Sequence, residues 1–348
     1  MGTVRAMPWL MRPAPDPPGP WPHTHLEGRV LRLDGDRFSV SLHADWQHFV
    51  DLRLPETLAG WGLTTPEAVP GWRRWTEAGG RVLSVSLEHS WALPAWARAW
   101  RAVGEPLTVV HLDRHTDCGA PLLLLDGWGE MQDCLTGAPV RADAPDSLEA
   151  AVASGSVGIG GFVAPAVAGG LLRELVHVFP SRTPLPERRR HALAVGAGAS
   201  HPRRPDLRWM SVSLGGHPAP AAHRIPYLAS HVAALPRGRA GPLVLDVDLD
   251  YASNRLRGEP DCEDAPGPEL TEEEFAADLR LVLEALDPAR IACVSVGTSP
   301  RYCPSERWRP LLAALSAVLA ERIDASLDGL FPWGPGERGP VPAARSGR

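Results

Sequence analysis

Thr108-Val109-Val110-His111-Leu112-Asp113-Arg114-His115-Thr116-Asp117 joins an apolar run to a cluster of carboxylates and imidazoles. Its β-branched, apolar opening runs into polar residues, and Cys118-Gly119-Ala120-Pro121 then breaks the chain. That pattern is a buried strand ending in a loop. In extended backbone alternate residues share a face, so Asp113, His115 and Asp117 are predicted to converge on one point. Two carboxylates and an imidazole aimed at one point suit a metal ion. Gly241-Pro242-Leu243-Val244-Leu245 repeats the statement, with Asp246, Asp248 and Asp250 on one side of the strand's end. Carboxylates crowded in this way repel each other and resist ionising unless cations sit between them, and a pair of divalent ions would serve.

Upstream of both runs, Arg81 to Leu87 reads as a strand ending at Glu88-His89-Ser90. The order is a His after an early strand, DxHxD after the next and DxD late in the chain. In this order the chain resembles the arginase and ureohydrolase superfamily. Within it, the chain looks most like the small arginase-like family that includes the bacterial peptide arginases, which convert arginine side chains of precursor peptides to ornithine. Gly158-Ile159-Gly160-Gly161-Phe162 and Ser299-Pro300-Arg301-Tyr302-Cys303-Pro304 are in the same style, and the resemblance spans about residues 82 to 310.

The resemblance implies a three-layer α/β/α sandwich with a mainly parallel sheet, which agrees with the alternation of predicted strands and helices and puts the site at the strands' carboxyl ends. It implies two manganese ions, with zinc, iron or cobalt as alternatives; imidazole ligands disfavour magnesium. By position, His89, Asp113, Asp117 and Asp246 would hold one ion. Asp113, His115, Asp246 and Asp248 would hold the other, with Asp113 and Asp246 bridging. Asp113, His115 and Asp250 are the candidate catalytic residues; Asp250 replaces Asp248 as ligand, steadies the bridging water or meets substrate. Two ions about 3.5 Å apart lower the pKa of a shared water toward neutrality, and attack on a guanidinium carbon would release urea. The implied partner is an arginine-containing precursor peptide, since the groups that hold a free amino acid are not found and Thr298-Ser299 stands where a late carboxylate is expected. No His occurs in the Gly155 to Gly161 loop, which leaves the proton donor open. Three other readings compete: a deacetylase-like amide hydrolase, a ureohydrolase acting on a small guanidino compound, and a metal-stabilised module that binds another protein.

A net charge of −6 with scattered Arg offers no stripe for nucleic acid and no polybasic membrane patch. No apolar run is long enough to span a bilayer and Met1 to Pro20 lacks a signal pattern, so the expected location is the cytoplasm. A homo-oligomer is allowed for, because the family forms several. Cys118, Cys134, Cys262, Cys293 and Cys303 lack CxxC spacing, which predicts reduced, structural thiols, with Cys118 beside the ligands.

Along the chain, residues 1–27 are expected to be a disordered, proline-rich arm. Residues 28–80 are expected to be an N-terminal addition carrying a hairpin around Asp34-Gly35-Asp36. Residues 81–330 would form the arginase-like domain and 331–348 a flexible tail. Helices are predicted over Trp91 to Arg101, Ser147 to Ser154, Phe162 to Leu172, from Thr271 with its capping box, and from Ser305. His177, between apolar neighbours, reads as a hydrogen-bonded interior residue. Residues 181–207, with Arg188-Arg189-Arg190 and Arg203-Arg204, read as a basic surface insertion, with contact to an acidic leader peptide as the minority reading. Pro218 to Arg239 reads as irregular.

Overall fold

A computed structural model describes residues 29–34, 37–42, 51, 53–63, 71–183, 189–201, 204–215, 223–255, 269–300 and 302–332. The proline-rich arm, the acidic loop containing Asp261, Glu263 and Asp264, and the tail from 333 onward lie outside these residues. In chain order the elements are β1 (Arg29–Asp34), β2 (Arg37–Leu42), α1 (Leu54–Gly60), β3 (Arg73–Ala78), β4 (Arg81–Ser86), α2 (Ala92–Val103) and β5 (Leu107–Leu112). There follow β6 (Leu123–Leu125), β7 (Met131–Asp133), β8 (Pro139–Val140), α3 (Pro145–Ser154), α4 (Val163–Ala168), β9 (Leu172–Phe179), β10 (Arg189–His201) and β11 (Arg204–Leu214). The chain continues through β12 (His223–His231), β13 (Leu243–Asp248), α5 (Glu272–Ala285), β14 (Ile291–Gly297) and α6 (Ser305–Ile323).

β1 and β2 pair antiparallel, Asp34 opposite Arg37. The main sheet has twelve strands in the order β3-β4-β14-β13-β5-β9-β12-β10-β11-β6-β7-β8. Its centre, from β4 to β12, is parallel throughout, and antiparallel strands flank it on both sides. These central strands read as unbroken apolar runs because both faces are covered. Alternate residues feed two cores: Val110, Leu112, Leu245 and Val247 pack with α5 and α6, whereas Leu107, Val109, Val244 and Cys293 pack with α2, α3 and α4. The architecture is therefore an α/β/α sandwich.

Helix boundaries follow their sequence signals. Thr271 and Glu274 form the capping box that opens α5, and Gly104 in left-handed geometry closes α2. Trp308, Leu311, Leu312, Leu315 and Leu319 of α6 are all buried, as their spacing predicts. Within the segment read as an addition, β3 forms the sheet's edge and Leu58 of α1 joins the α5/α6 core. Asp51 Oδ2 accepts from Ser305 N at 2.7 Å, supplying the cap that α6 lacks locally.

Three expectations are corrected. The helix predicted to reach Leu172 ends at Ala168, because Gly169-Gly170 stops it and β9 begins at Leu172. The supposed surface insertion over 181–207 includes β10, which pairs with β11 and β12, so its backbone bonds are satisfied in the sheet. The stretch read as irregular contains β12, whose parallel pairing with β9 extends the central sheet. No described helix is long and apolar enough to cross a membrane.

Candidate metal centre

Register across the parallel strands sets the site in two rows. Asp246 of β13 lies beside Ser295 of β14 and His111 of β5, and His111 lies beside His177 of β9. All four are buried in one polar row on the α2 face. Asp248 and Asp113 share that face two residues further on. At about 3.3 Å of rise per residue, this places them roughly 6.6 Å nearer the strands' carboxyl ends. Carboxylates at alternate positions thus share a face without sharing a point, unless the backbone leaves extended geometry.

It does so twice. Asp117 has φ 50°, a left-handed conformation that bends the loop so that Asp117 returns toward Asp113. After Asp248 the chain curls into a 3-10 turn over Leu249–Tyr251, with Asp250 N donating to Asp248 Oδ1 at 3.0 Å.

The bent loop brings Asp113 and Asp117 to His89, just beyond β4. His89 Nδ1 stands 3.1 Å from Asp113 Oδ2, 3.0 Å from Asp117 Oδ2 and 3.1 Å from Asp248 Oδ2. His111 Nε2 stands 3.4 Å from Asp113 Oδ2 and 3.9 Å from Asp117 Oδ2. His89 Nδ1, His111 Nε2, Asp113 Oδ2 and Asp117 Oδ2 are buried without a hydrogen-bond partner. Ligand bonds of about 2.1 Å set neighbouring donor atoms about 3.0 Å apart in an octahedron and about 3.4 Å apart in a tetrahedron. The donor set and its spacings therefore fit a cation. The His89 ring lies against Gly297, where an added Cβ would come within 3.0 Å of it, and against Phe162 at 4.8 Å.

A second convergence forms at the curled turn. His115 Nδ1 lies 2.7 Å from Asp250 Oδ2 and 3.4 Å from Asp113 Oδ1, so the two oxygens of Asp113 face two different imidazoles. His115 Nε2 is 3.2 Å from the Asn254 amide, and its ring meets Tyr302 edge-on at 5.1 Å. Asp113, His115 and Asp250 make one compact donor trio, and His89, Asp113 and Asp117 another.

Asp246 departs from the bridging role expected of it. Its Oδ2 lies 2.9 Å from His89 Nε2 and 2.7 Å from His111 Nδ1, and its Oδ1 accepts from Ser295 Oγ. His89, His111 and Asp246 form a third compact trio, but these contacts are already hydrogen bonds. The expected grouping of His115 with Asp246 and Asp248 does not form either, because Asp246 sits a row deeper and Asp248 Oδ2 faces His89 while accepting from Ser299 Oγ.

The sequence gives no role to His111, Ser295 or Asn254, and Ser299, expected only to stand in the place of a late carboxylate, instead bonds Asp248. Alternation alone would have flagged His111, which shares a face with Asp113; the others needed register or loop geometry. His177 is the interior residue expected, contacting Tyr227 Oη at 2.8 Å and the Asp113 carbonyl at 3.0 Å. The glycine loop makes a close backbone approach, Gly119 N donating to Gly160 O at 2.7 Å. Cys118 directs its Sγ to the Thr116 carbonyl at 3.0 Å. Cys118, Cys134, Cys293 and Cys303 are buried free thiols, and Cys262 lies outside the described residues.

The electrostatics show a centre that demands positive charge. Burial opposes charge on His89, but Asp246 and Asp248 outweigh it and hold the imidazole well above its ordinary range. Burial is likewise outweighed at His111, which Asp113 and Asp246 raise to about 9. Burial and the Asp113 charge push Asp117 up to about 7, while Asp246, facing two imidazoles, is held at about 2 against its burial. Burial, Asp113 and Asp248 drive Asp250 well above the carboxylate range. In the metal-free chain, protons take the place that cations would fill.

No family model and no curated protein matches the chain. Among solved structures it is similar to the crystal structure of a hypothetical agmatinase from Burkholderia thailandensis, with a TM-score of 0.35 and 16% identity. That similarity covers 70% of this chain and 61% of the other, so the chain spans about three fifths of that protein's length.

Proposed function

We propose that the protein is a metal-dependent hydrolase of carbon–nitrogen bonds, a ureohydrolase with two divalent ions. The observation that carries this reading is the set of buried, unpartnered atoms His89 Nδ1, Asp113 Oδ2, Asp117 Oδ2 and Asp250 Oδ2 at the carboxyl ends of the parallel strands. His89, Asp113 and Asp117 would hold one ion, with Asp248 beside His89; Asp113, His115 and Asp250 would hold the other, with Asp113 common to both. Divalent ions so held supply charge that lowers the pKa of a water and offsets negative charge developing on the attacked group. Manganese suits the mixed oxygen and nitrogen donors.

The chain's own residues supply positioning. The Asn254 amide contacts His115 Nε2, on the side of the ring away from Asp250, and steadies it. Ser299, itself at φ 43°, holds Asp248, and Phe162 covers the inner imidazoles and keeps water from them. Thr298 and Ser299 are both buried, and each donates inward, to Leu87 O and to Asp248. Neither supplies the late carboxylate of enzymes that take free arginine. Together with the motif order, this favours an arginine side chain within a precursor peptide as substrate, giving urea and ornithine.

The test is urea release by manganese-loaded protein from agmatine, free arginine, an arginine-containing peptide and an acetyl-lysine peptide. Urea from the arginine peptide, with ornithine found by mass spectrometry, is the expected result. Acetate release without urea would replace the reading with a deacetylase-like hydrolase, and no turnover of any substrate in fully loaded protein would remove the enzyme reading.

A further inference from the structure

The polar row beneath the centre is an assembly in its own right. Trp96 Nε1 donates to Ser295 Oγ at 3.0 Å, and Ser295 Oγ donates to Asp246 Oδ1. The other oxygen, Asp246 Oδ2, receives both imidazoles, His111 Nδ1 at 2.7 Å and His89 Nε2 at 2.9 Å. Trp96, Ser295, Asp246, His111 and His89 are each at most 1% exposed. The two rings are parallel within 9°, with centroids 5.4 Å apart, so one carboxylate oxygen orients both.

We infer that Asp246 is a positioning residue: with Ser295 and His111 behind it, it fixes His89 as the Nε2–H tautomer, so that the Nδ1 lone pair faces Asp113, Asp117 and Asp248. This rests on the proposal that the centre holds metal. A ring nitrogen with a carboxylate at 2.9 Å in hydrogen-bond geometry carries the proton, and the opposite nitrogen is then free to be a donor atom. A charged partner behind an imidazole also raises its basicity and strengthens its grip on a cation. Asp246 is available for this because β13 register seats it beside His111 and Ser295, a row below Asp248. The chain's third acidic residue at this strand end thus serves the ligand His89 rather than the ion.

The experiment loads the full-length chain with graded Mn²⁺ and measures bound metal after gel filtration, comparing wild type, Asp246→Asn and Asp248→Asn. Asp246→Asn is expected to reach wild-type metal content at saturation while needing about 10- to 100-fold more Mn²⁺. Asp248→Asn is expected to fall short of wild-type content even at saturation. If Asp246→Asn falls short at saturation, Asp246 is a ligand and the inference fails while the metal centre stands. If wild type takes up no divalent metal, the metal-centre reading itself fails and carries the inference with it. NMR on zinc-loaded wild type decides the point should Asp246→Asn not fold. An exchange-protected Nε2–H on His89 supports the inference, and protonation at His89 Nδ1 overturns it.

Discussion

The two imidazoles that flank Asp113 meet opposite surroundings. The His89 side chain is 1% exposed, packed against Phe162 and Gly297 and backed by the charged Asp246. The His115 side chain is 14% exposed, backed by the neutral Asn254 and edged by Tyr302. One half of the centre is thus a buried, charge-supported clamp and the other an accessible rim. A buried donor set with a charged supporting residue binds a cation more tightly and exchanges it more slowly. Where the centre holds metal, as proposed, this difference would give retention to the inner half, and contact with substrate and solvent to the rim.

Replacement of the shared carboxylate should have the largest effect. Asp113→Asn is expected to lose both ions and all measurable turnover, and one ion retained at full occupancy would show that the halves do not share it. Next, His115→Ala should keep the inner ion while turnover disappears, whereas His89→Ala should hold less metal than His115→Ala at equal Mn²⁺. Equal metal contents would erase the distinction between clamp and rim.

The pH dependence of stability separates the halves' metal-free and loaded states. In the folded chain His111 sits at about 9, above its ordinary 6.5, and Asp117 at about 7, above 3.8. A group whose folded pKa is raised stabilises the fold below its unfolded value and loses that contribution as pH rises through the folded one. The chelator-treated protein should therefore lose thermal stability as pH rises through about 7 and on to about 9. The manganese-loaded protein should hold or gain stability over that window, because cations need the deprotonated ligands. Parallel melting curves with and without EDTA would check this, and a metal-free protein that gains stability over the window would contradict it.

Two smaller effects probe each half singly. Gly297→Ala puts a methyl group against the His89 ring and should cost about 1–3 kcal/mol of stability by overpacking, read from chemical denaturation. Asn254→Ala should leave the melting temperature nearly unchanged and raise the Mn²⁺ needed for half-maximal turnover by about 10-fold. A larger shift from Asn254→Ala than from Asp246→Asn would invert the assignment of clamp and rim.

Most of the central parallel sheet was legible in the chain. Val109-Val110 and Val244-Leu245 announce fully buried strands, and acidic residues at their ends announce the carboxyl edge of a parallel sheet. His89 belonged to the centre on the strength of motif order. Strand β10 was not legible, because its alanines, glycines and arginines carry little apolar alternation and its pairing is long-range. β12 was hidden for a related reason, since it contains Pro226 and only the strand beside it shows that its other backbone groups pair.

Strand parity and ligand chemistry belong to the sequence alone: a period of two puts His111 and Asp113 on one face, and likewise Asp246 and Asp248, whatever the neighbours. Depth, by contrast, comes from the packing of neighbouring strands. Whether Asp246 or Asp248 reaches the donor cluster at the sheet's carboxyl edge depends on how far β13 slides against β5 and β14, and a step of two residues keeps every side chain on its face while moving it by a whole row. The local bends at Asp117 and at Leu249–Tyr251 then chose which carboxylates return to a common point. Alternation is a property of one strand; register belongs to a pair, and convergence to all the strands and loops around the site.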